Sequence, residues 1–183
     1  MKALLRSFGY AFRGLYRATR SERNLRIHIV FMAYMYGFLL LPDWFSVTAV
    51  QWAVLLLANA LVVAAELFNT AIEAMVNLVT QGRYHQLAAV AKDTAAGAVL
   101  VCALFAVAVG VAVLWQPEAF RQMGAYYGTH PAIIGALAIS VAIAGVFIFS
   151  GRPSSAKKEP GRVVDSRFVS IATDDRGSAE PVP

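Results

Sequence analysis

Four polar side chains recur along one apolar stretch of the sequence: Glu66, Asn69, Glu73 and Asn77. Their spacing of three, four and four residues places all four on one face of a continuous helix. A carboxylate at membrane depth costs about 2.5 to 3.5 kcal/mol on insertion scales, so it needs either a partner or a function. Two carboxylates with an amide between them suit Mg²⁺, which binds oxygen ligands and leaves positions for phosphate oxygens. The alternative for Glu66 alone is a protonated carboxyl that only fixes helix packing.

A second polar cluster follows the turn signal Gln81-Gly82 and contains Tyr84-His85 and Lys92-Asp93. Lys92 can hold a phosphate as a point charge, and Asp93 can bind a metal or hold Lys92 in place. The alternative is ordinary anchoring of a helix end at the membrane interface. Glu22, in a basic loop, likewise has two interpretations: a ligand, or an ion-pair partner of a neighbouring arginine.

Familiar catalytic motifs are missing from the sequence. There is no G-x-x-x-x-G-K-[ST], G-x-G-x-x-G, D-F-G or G-x-S-x-G pattern, which argues against soluble kinase folds and hydrolases. The three histidines are scattered and form no metal-ligand spacing. The single Cys102 cannot form an intramolecular disulfide and is interpreted as an inert apolar side chain.

The helices that must position these residues lie in a bilayer. The 183 residues are 58% hydrophobic, and the mean hydropathy is +0.59. A hydrocarbon core of roughly 30 Å requires about 20 apolar residues per helix, and barrel strands do not fit apolar runs this long. Four stretches are predicted as spans: 27–41, 47–68, 94–115 and 133–149, of which the first and last are short.

The basic residues give the orientation. Of 16 Lys and Arg residues, seven precede the first predicted span, two lie between the second and third, and six follow the fourth. Only Arg121 remains for the opposite side. The positive-inside rule therefore predicts a cytoplasmic N-terminus, a cytoplasmic 69–93 segment and a cytoplasmic C-terminal tail.

The two ends of the chain have different compositions. Before the first span, apolar residues recur at steps of three and four while arginines collect on another face, which predicts an amphipathic helix on the membrane surface. From residue 151 onward, Gly, Pro, Ser and charged residues show no apolar periodicity, which predicts a disordered tail.

Five stretches of the sequence together resemble the prokaryotic diacylglycerol kinase family, which includes the undecaprenol kinases. Two lie near the N-terminus, Gly9 to Leu15 and Ser21 to His28. The other three are Glu66-Leu-Phe-Asn-Thr-Ala-Ile-Glu-Ala-Met-Val, Tyr84-His85 and Ala91-Lys-Asp-Thr-Ala-Ala-Gly-Ala-Val. The resemblance covers about residues 5–115. The fourth predicted span and the tail lie outside it.

The resemblance implies an ATP-dependent, Mg²⁺-requiring lipid kinase, a homotrimer in the bacterial inner membrane. Glu66 matches the proposed catalytic base, and Asn69 matches an active-site amide beside it. The metal-binding carboxylates of the family match Glu22 and Glu73. Both also belong to the cofactor-binding set, whose other members match nucleotide contacts: Tyr10, Tyr84, His85, Lys92 and Asp93.

Two departures from the family pattern fall within the matched segments. Asn77 and Arg83 stand where acidic residues are usual, and one extra residue separates Glu73 from His85. These changes put nucleotide contacts at Asn77 and Arg83 in doubt. They leave the predicted catalytic residues unchanged.

The prediction is an all-α integral membrane protein with an N-terminal surface helix, a three-helix transmembrane kinase unit and a fourth C-terminal transmembrane helix. The predicted divisions are 1–26, a surface helix and loop; 27–115, the kinase core; 116–132, an extracytoplasmic connection; 133–149, the fourth helix; and 150–183, a cytoplasmic tail. The predicted activity is phosphoryl transfer from ATP to undecaprenol or diacylglycerol, with no nucleic acid partner. Two alternatives remain open, a proton-coupled transporter using Glu66 and a non-catalytic assembly protein.

Overall fold

The protein is helical throughout the part that its computed structural model describes, residues 2–40 and 43–151. The six helices are α1 (Lys2–Ser21), α2 (Arg23–Leu40), α3 (Ala49–Thr80), α4 (Gln86–Leu114), α5 (Pro117–Thr129) and α6 (Pro131–Phe149). No strand occurs in these ranges, so the all-α prediction is confirmed. Residues 152–183 of the predicted tail lie outside the described residues.

Three of the described helices are long and apolar enough to cross a membrane: α3, α4 and α6. The fourth predicted span is therefore among them. The first predicted span, by contrast, lies in α2, which does not reach the same apolar composition. It has only 18 residues, and Arg23, Arg26 and His28 fall in its first two turns.

The junction between α1 and α2 is a single residue. Helix α1 ends at Ser21 and α2 begins at Arg23, so Glu22 alone separates them. The segment predicted as a surface helix and loop, 1–26, thus contains α1, Glu22 and the first four residues of α2. The apolar side chains of α1 are exposed, as a helix lying against lipid requires: Leu4, Leu5, Phe8, Phe12, Leu15 and Tyr16.

Helices α2 and α3 are antiparallel. Asn59 Nδ2 donates to Tyr36 Oη at 2.9 Å, and further along, His28 of α2 faces Glu66 of α3. Helix α4 returns along α3 and packs against it more extensively than any other pair of helices. As a result, the α1–α2 junction, the second half of α3 and the start of α4 meet at one end of the bundle, which we call the polar end.

The opposite end, which we call the aromatic end, is built from 43–48 and α5. Trp44 makes edge-to-face contacts with Tyr126 and Tyr127, at centroid distances of 5.4 and 5.5 Å. Such rings favour a membrane interface. Arg121, the lone basic residue predicted there, donates to the Glu118 carboxylate, and this hydrogen bonding lowers the pKa of Glu118 from 4.5 to about 2. The predicted connection thus contains a helix and carries no unpaired arginine.

Helix α6 packs on α2, outside the α3–α4 pair. Arg26 contacts Ile148, and Tyr34 contacts Ser140 at 2.8 Å, so the two helices are antiparallel. The C-terminal end of α6 therefore lies at the polar end of the bundle, beside the α1–α2 junction.

Candidate active site

Helix α3 continues without interruption for 32 residues, and its second half carries the predicted polar face. Because α3 extends to Thr80, Glu66, Asn69, Glu73 and Asn77 all lie on one helix, as the spacing predicted. The helix ends in a left-handed turn at Gln81 and Gly82, with φ of 52° and 74°. Glycine adopts that conformation readily, which explains its place in the turn signal.

Glu66 is the most deeply buried polar residue of this face. Its side chain is 2% exposed, and its Oε1 has no hydrogen-bond partner among the described residues. A buried carboxylate oxygen without a donor is costly unless a ligand or proton satisfies it. Glu66 therefore has the free acceptor that a general base needs.

His28 is the basic group nearest to Glu66. Its Nε2 lies 3.6 Å from Glu66 Oε1, within ion-pair distance but longer than a hydrogen bond, and its side chain is 25% exposed. His28 had no predicted role, because the three histidines are scattered along the sequence. Its position in the matched segment Ser21 to His28 was the available signal, but only the fold brings it to Glu66.

Asn69 and Glu73 form the second part of the site. Asn69 Nδ2 donates to Glu73 Oε1 at 3.4 Å, and Asn69 Oδ1 is buried with no hydrogen-bond partner in the described part of the chain. An amide oxygen without a hydrogen-bond donor and a neighbouring carboxylate together provide two oxygen ligands that suit a hard cation. Glu22, the other predicted metal ligand, is half-buried at the α1–α2 junction, and α1 and α2 both pack on α3. The described residues hold no cluster of three or more His, Cys, Asp or Glu side chains around one point.

Lys92 connects α4 to the polar face. Its Nζ donates to Asn77 Oδ1 at 2.7 Å, so the amide that stands in place of a usual acidic residue still holds the lysine head. A neutral amide leaves the positive charge of Lys92 uncompensated and available to a phosphate. Asp93 is exposed on the next position of α4, and no described contact joins it to Lys92.

The predicted nucleotide contacts outside α3 are mostly open. His85 Nδ1 accepts a hydrogen bond from the Leu87 backbone at 3.2 Å and so caps α4. Tyr84, before it, is 87% exposed. On α1, Tyr10 is also exposed, with the Arg13 guanidinium 4.8 Å from its ring centre. Tyr84 and His85 line one open cleft at the polar end, and Tyr10 is not part of it.

A cleft of about 590 Å³ lies between α2 and α4 with α3 as its floor. Its walls are almost entirely apolar, and His28 lines it. Phe45 and Phe120 line the cleft as well, and they belong to the aromatic end. The cleft thus follows the bundle from the aromatic end to the side chain that faces Glu66.

Comparison with known proteins gives consistent matches. The family model described as prokaryotic diacylglycerol kinase matches residues 9–114. A diacylglycerol kinase of Synechocystis is 44% identical over 62% of this chain and 63% of its own length, so the match spans less than two thirds of that relative. An undecaprenol kinase of Bacillus subtilis is 34% identical and a diacylglycerol kinase of Escherichia coli 30%, each over 62% of this chain and 89% of the relative.

No solved structure matches the chain significantly. The family model nevertheless covers more than half of the chain, including the α1–α2 junction, the polar face of α3 and Lys92. The match ends at the last residue of α4, so α5 and α6 lie beyond it. The chain belongs to the prokaryotic diacylglycerol kinase family, which confirms the family expected from the sequence.

Proposed function

We propose that this chain transfers the γ-phosphoryl group of ATP to the hydroxyl of a membrane lipid, either undecaprenol or diacylglycerol. The observation that carries the proposal is the buried Glu66 carboxylate, whose Oε1 has no hydrogen-bond partner among the described residues and faces His28, a residue that lines the apolar cleft. A lipid hydroxyl held there has a base beside it and an apolar channel for its chain. The relatives are named for acting on diacylglycerol or undecaprenol, which supports both substrates.

Glu66 accepts the hydroxyl proton as the lipid oxygen attacks the γ-phosphorus. The new O–P bond forms while the bond to the β-phosphate oxygen breaks, and the leaving ADP takes that electron pair. Phosphoryl transfer has little covalent work for the protein to do, so positioning and charge neutralisation dominate. Lys92, held by Asn77, supplies a fixed positive charge to the phosphates.

Mg²⁺ is the proposed cofactor, and Glu73 and Glu22 are its proposed ligands. The open Asn69 Oδ1 beside Glu73 fits a hard cation, because both are oxygen donors and one of them lacks any other partner. When bound, the ion neutralises charge on the phosphate oxygens during transfer. Tyr10, Tyr84, His85 and Asp93 are the proposed nucleotide contacts, and their exposure leaves them accessible from the aqueous side.

The proposed setting is a multi-pass homotrimer in the bacterial inner membrane, with the polar end in the cytoplasm where ATP is available. Basic residues concentrate at that end, while Arg121 at the aromatic end is paired with Glu118. This asymmetry agrees with the positive-inside rule. Many apolar side chains of α3 are exposed in the single chain, among them Leu56, Leu57 and Leu61, which leaves surface for lipid and for other subunits.

The test uses purified full-length protein in lipid vesicles with labelled ATP, Mg²⁺ and either undecaprenol or diacylglycerol. We expect label to appear in one of the two lipids and not in vesicles lacking both. A matched preparation of Glu66→Gln controls for contaminating kinases. Proton flux across the vesicle membrane without ATP consumption would instead support the transporter. The absence of both lipid phosphorylation and proton flux would support the non-catalytic assembly protein.

A further inference from the structure

Arg26 is a buried charge without a carboxylate. It lies in the first turn of α2 and is 4% exposed, yet no Asp or Glu side chain lies within 4 Å of it among residues 2–40 and 43–151. A buried guanidinium needs partners for its donors, because removing it from water is otherwise costly. Backbone carbonyl groups supply them here.

These carbonyl groups belong to the ends of two helices. Arg26 Nη1 donates to the carbonyl oxygens of Thr19 and Arg20, each at 3.0 Å, and Nε donates to that of Ile148, also at 3.0 Å. Thr19 and Arg20 lie in the last turn of α1, and Ile148 lies in the last turn of α6. The last four carbonyls of a helix lack intrahelical partners and carry the negative end of its dipole. One guanidinium therefore caps α1 and α6 together.

Gly151, just after α6, lies directly against this guanidinium. A Cβ atom at position 151 would collide with Cζ and both terminal nitrogens of Arg26. The two glycines within α6, Gly135 and Gly145, have no atom within 4 Å of an added Cβ. A side chain at 151 must therefore displace Arg26, whereas one at 135 meets open space.

A second contact fixes the register of α6 on α2. Tyr34 Oη and Ser140 Oγ lie 2.8 Å apart, and Ser140 also donates to the Leu137 carbonyl. Because the serine proton is used in that bond, Tyr34 is the donor to Ser140. Tyr34 follows Arg26 by eight residues, and Ser140 precedes Ile148 by eight, so both contacts fit one antiparallel alignment.

We propose that α6 is a positioning element for the site, because its last turn holds Arg26 and through Arg26 fixes the junction that carries Glu22. The carbonyl groups of Thr19 and Arg20 that Arg26 holds lie only three and two residues before Glu22, and Arg26 itself follows it by four. The Glu22 backbone is bonded on both sides, to Ala18 at 2.8 Å and to Arg26 at 3.4 Å. Helix α6 lies beyond the segment that matches the family, so this support is an addition to the shared three-helix unit.

The inference rests on the proposed function for the role of Glu22 as a metal ligand. Groups that orient a metal ligand typically change metal affinity by about 10-fold to 100-fold when lost. Displacing Arg26 should therefore raise the Mg²⁺ concentration needed for half-maximal turnover, while turnover at saturating Mg²⁺ changes little. A generally destabilised protein would instead lose turnover at saturating Mg²⁺ as well.

The experiment compares Gly151→Ala with Gly135→Ala in the full chain. We expect Gly151→Ala to raise the half-saturating Mg²⁺ concentration by about tenfold, the lower end of that range, and Gly135→Ala to leave it unchanged. Arg26→Gln should reproduce the effect of Gly151→Ala. An unchanged Mg²⁺ requirement in both Gly151→Ala and Arg26→Gln would overturn the proposal.

A second readout does not depend on kinase activity. A nitroxide on Arg17→Cys, in a Cys102→Ala background, reports the mobility of the C-terminal part of α1, because Arg17 is exposed just before the last turn. We expect its mobility to rise in Gly151→Ala and not in Gly135→Ala. If wild-type protein phosphorylates no lipid, the proposed function fails and this measurement still decides whether α6 holds the junction. Unchanged mobility in Gly151→Ala would show that it does not.

Discussion

His28 Nε2 and Glu66 Oε1 lie 3.6 Å apart across the contact between α2 and α3. Glu66 is almost fully buried, and its Oε1 has no hydrogen-bond donor in the described chain. A small movement of either side chain would bring the two atoms to hydrogen-bond distance. The proposed base therefore stands beside a group that can take up its proton after transfer, and one side of that group lines the apolar cleft.

Glu66→Gln should abolish nearly all lipid phosphorylation in a protein that still folds and inserts. The amide has a similar shape but cannot accept the substrate proton, and general base catalysis typically contributes about 100-fold to 10,000-fold. Turnover with labelled ATP and lipid measures the loss. Glu118→Gln, which changes an exposed carboxylate at the aromatic end, is the matched control and should retain turnover. Near wild-type activity of Glu66→Gln would remove Glu66 from the mechanism.

His28→Gln should lower turnover by about tenfold, less than loss of the base itself, because His28 acts through Glu66. The loss should appear in turnover and not in the amount of folded, inserted protein. His130→Gln, at the exposed aromatic end, serves as the control. Wild-type turnover in His28→Gln would reduce His28 to a packing residue.

Glu73→Gln and Glu22→Gln should each increase the Mg²⁺ concentration required for turnover, because each loses a charged oxygen donor to a hard cation. For Glu73→Gln the neighbouring Asn69 also loses its carboxylate partner. Turnover measured across a Mg²⁺ titration gives the shift. If both variants titrate as the wild type does, the ligand assignment is wrong.

The predictable part of the site is the part carried by one helix. Glu66, Asn69, Glu73 and Asn77 share a face because of the 3.6-residue period, which depends on no other element. The contact of Lys92 with Asn77 joins two helices that are linked by a short turn. The sequence singled out both residues but did not predict that they touch.

Contacts between distant segments could not be predicted in the same way. In the sequence, Arg26 is one of seven basic residues before the first predicted span, and nothing distinguishes it from the others. Its hydrogen bond to the Ile148 carbonyl forms only because α6, 122 residues away in sequence, packs beside it. Helix α2 begins four residues before the predicted span, because apolar composition indicates the lipid-embedded part of a helix and not the first residue of its helical backbone. Glu22 interrupts the helix for a single residue, which composition does not register.

The last prediction concerns the side of the membrane on which α6 ends. Helix α6 has 19 residues, is apolar enough to span, and runs antiparallel to α2 with its C-terminal end against the α1–α2 junction. If the polar end is cytoplasmic, as the distribution of basic residues predicts, Ser150 at the end of α6 is cytoplasmic too.

In a Cys102→Ala background, Ser150→Cys should resist an impermeant thiol reagent in intact cells and react after permeabilisation. Gln122→Cys, on an exposed position of α5, should react in intact cells and so controls for access of the reagent. Labelling of Ser150→Cys in intact cells would contradict the fourth crossing. The contacts of Arg26 and Tyr34 with α6 require the C-terminal end of α6 to lie on the same side of the membrane as the N-terminal end of α2.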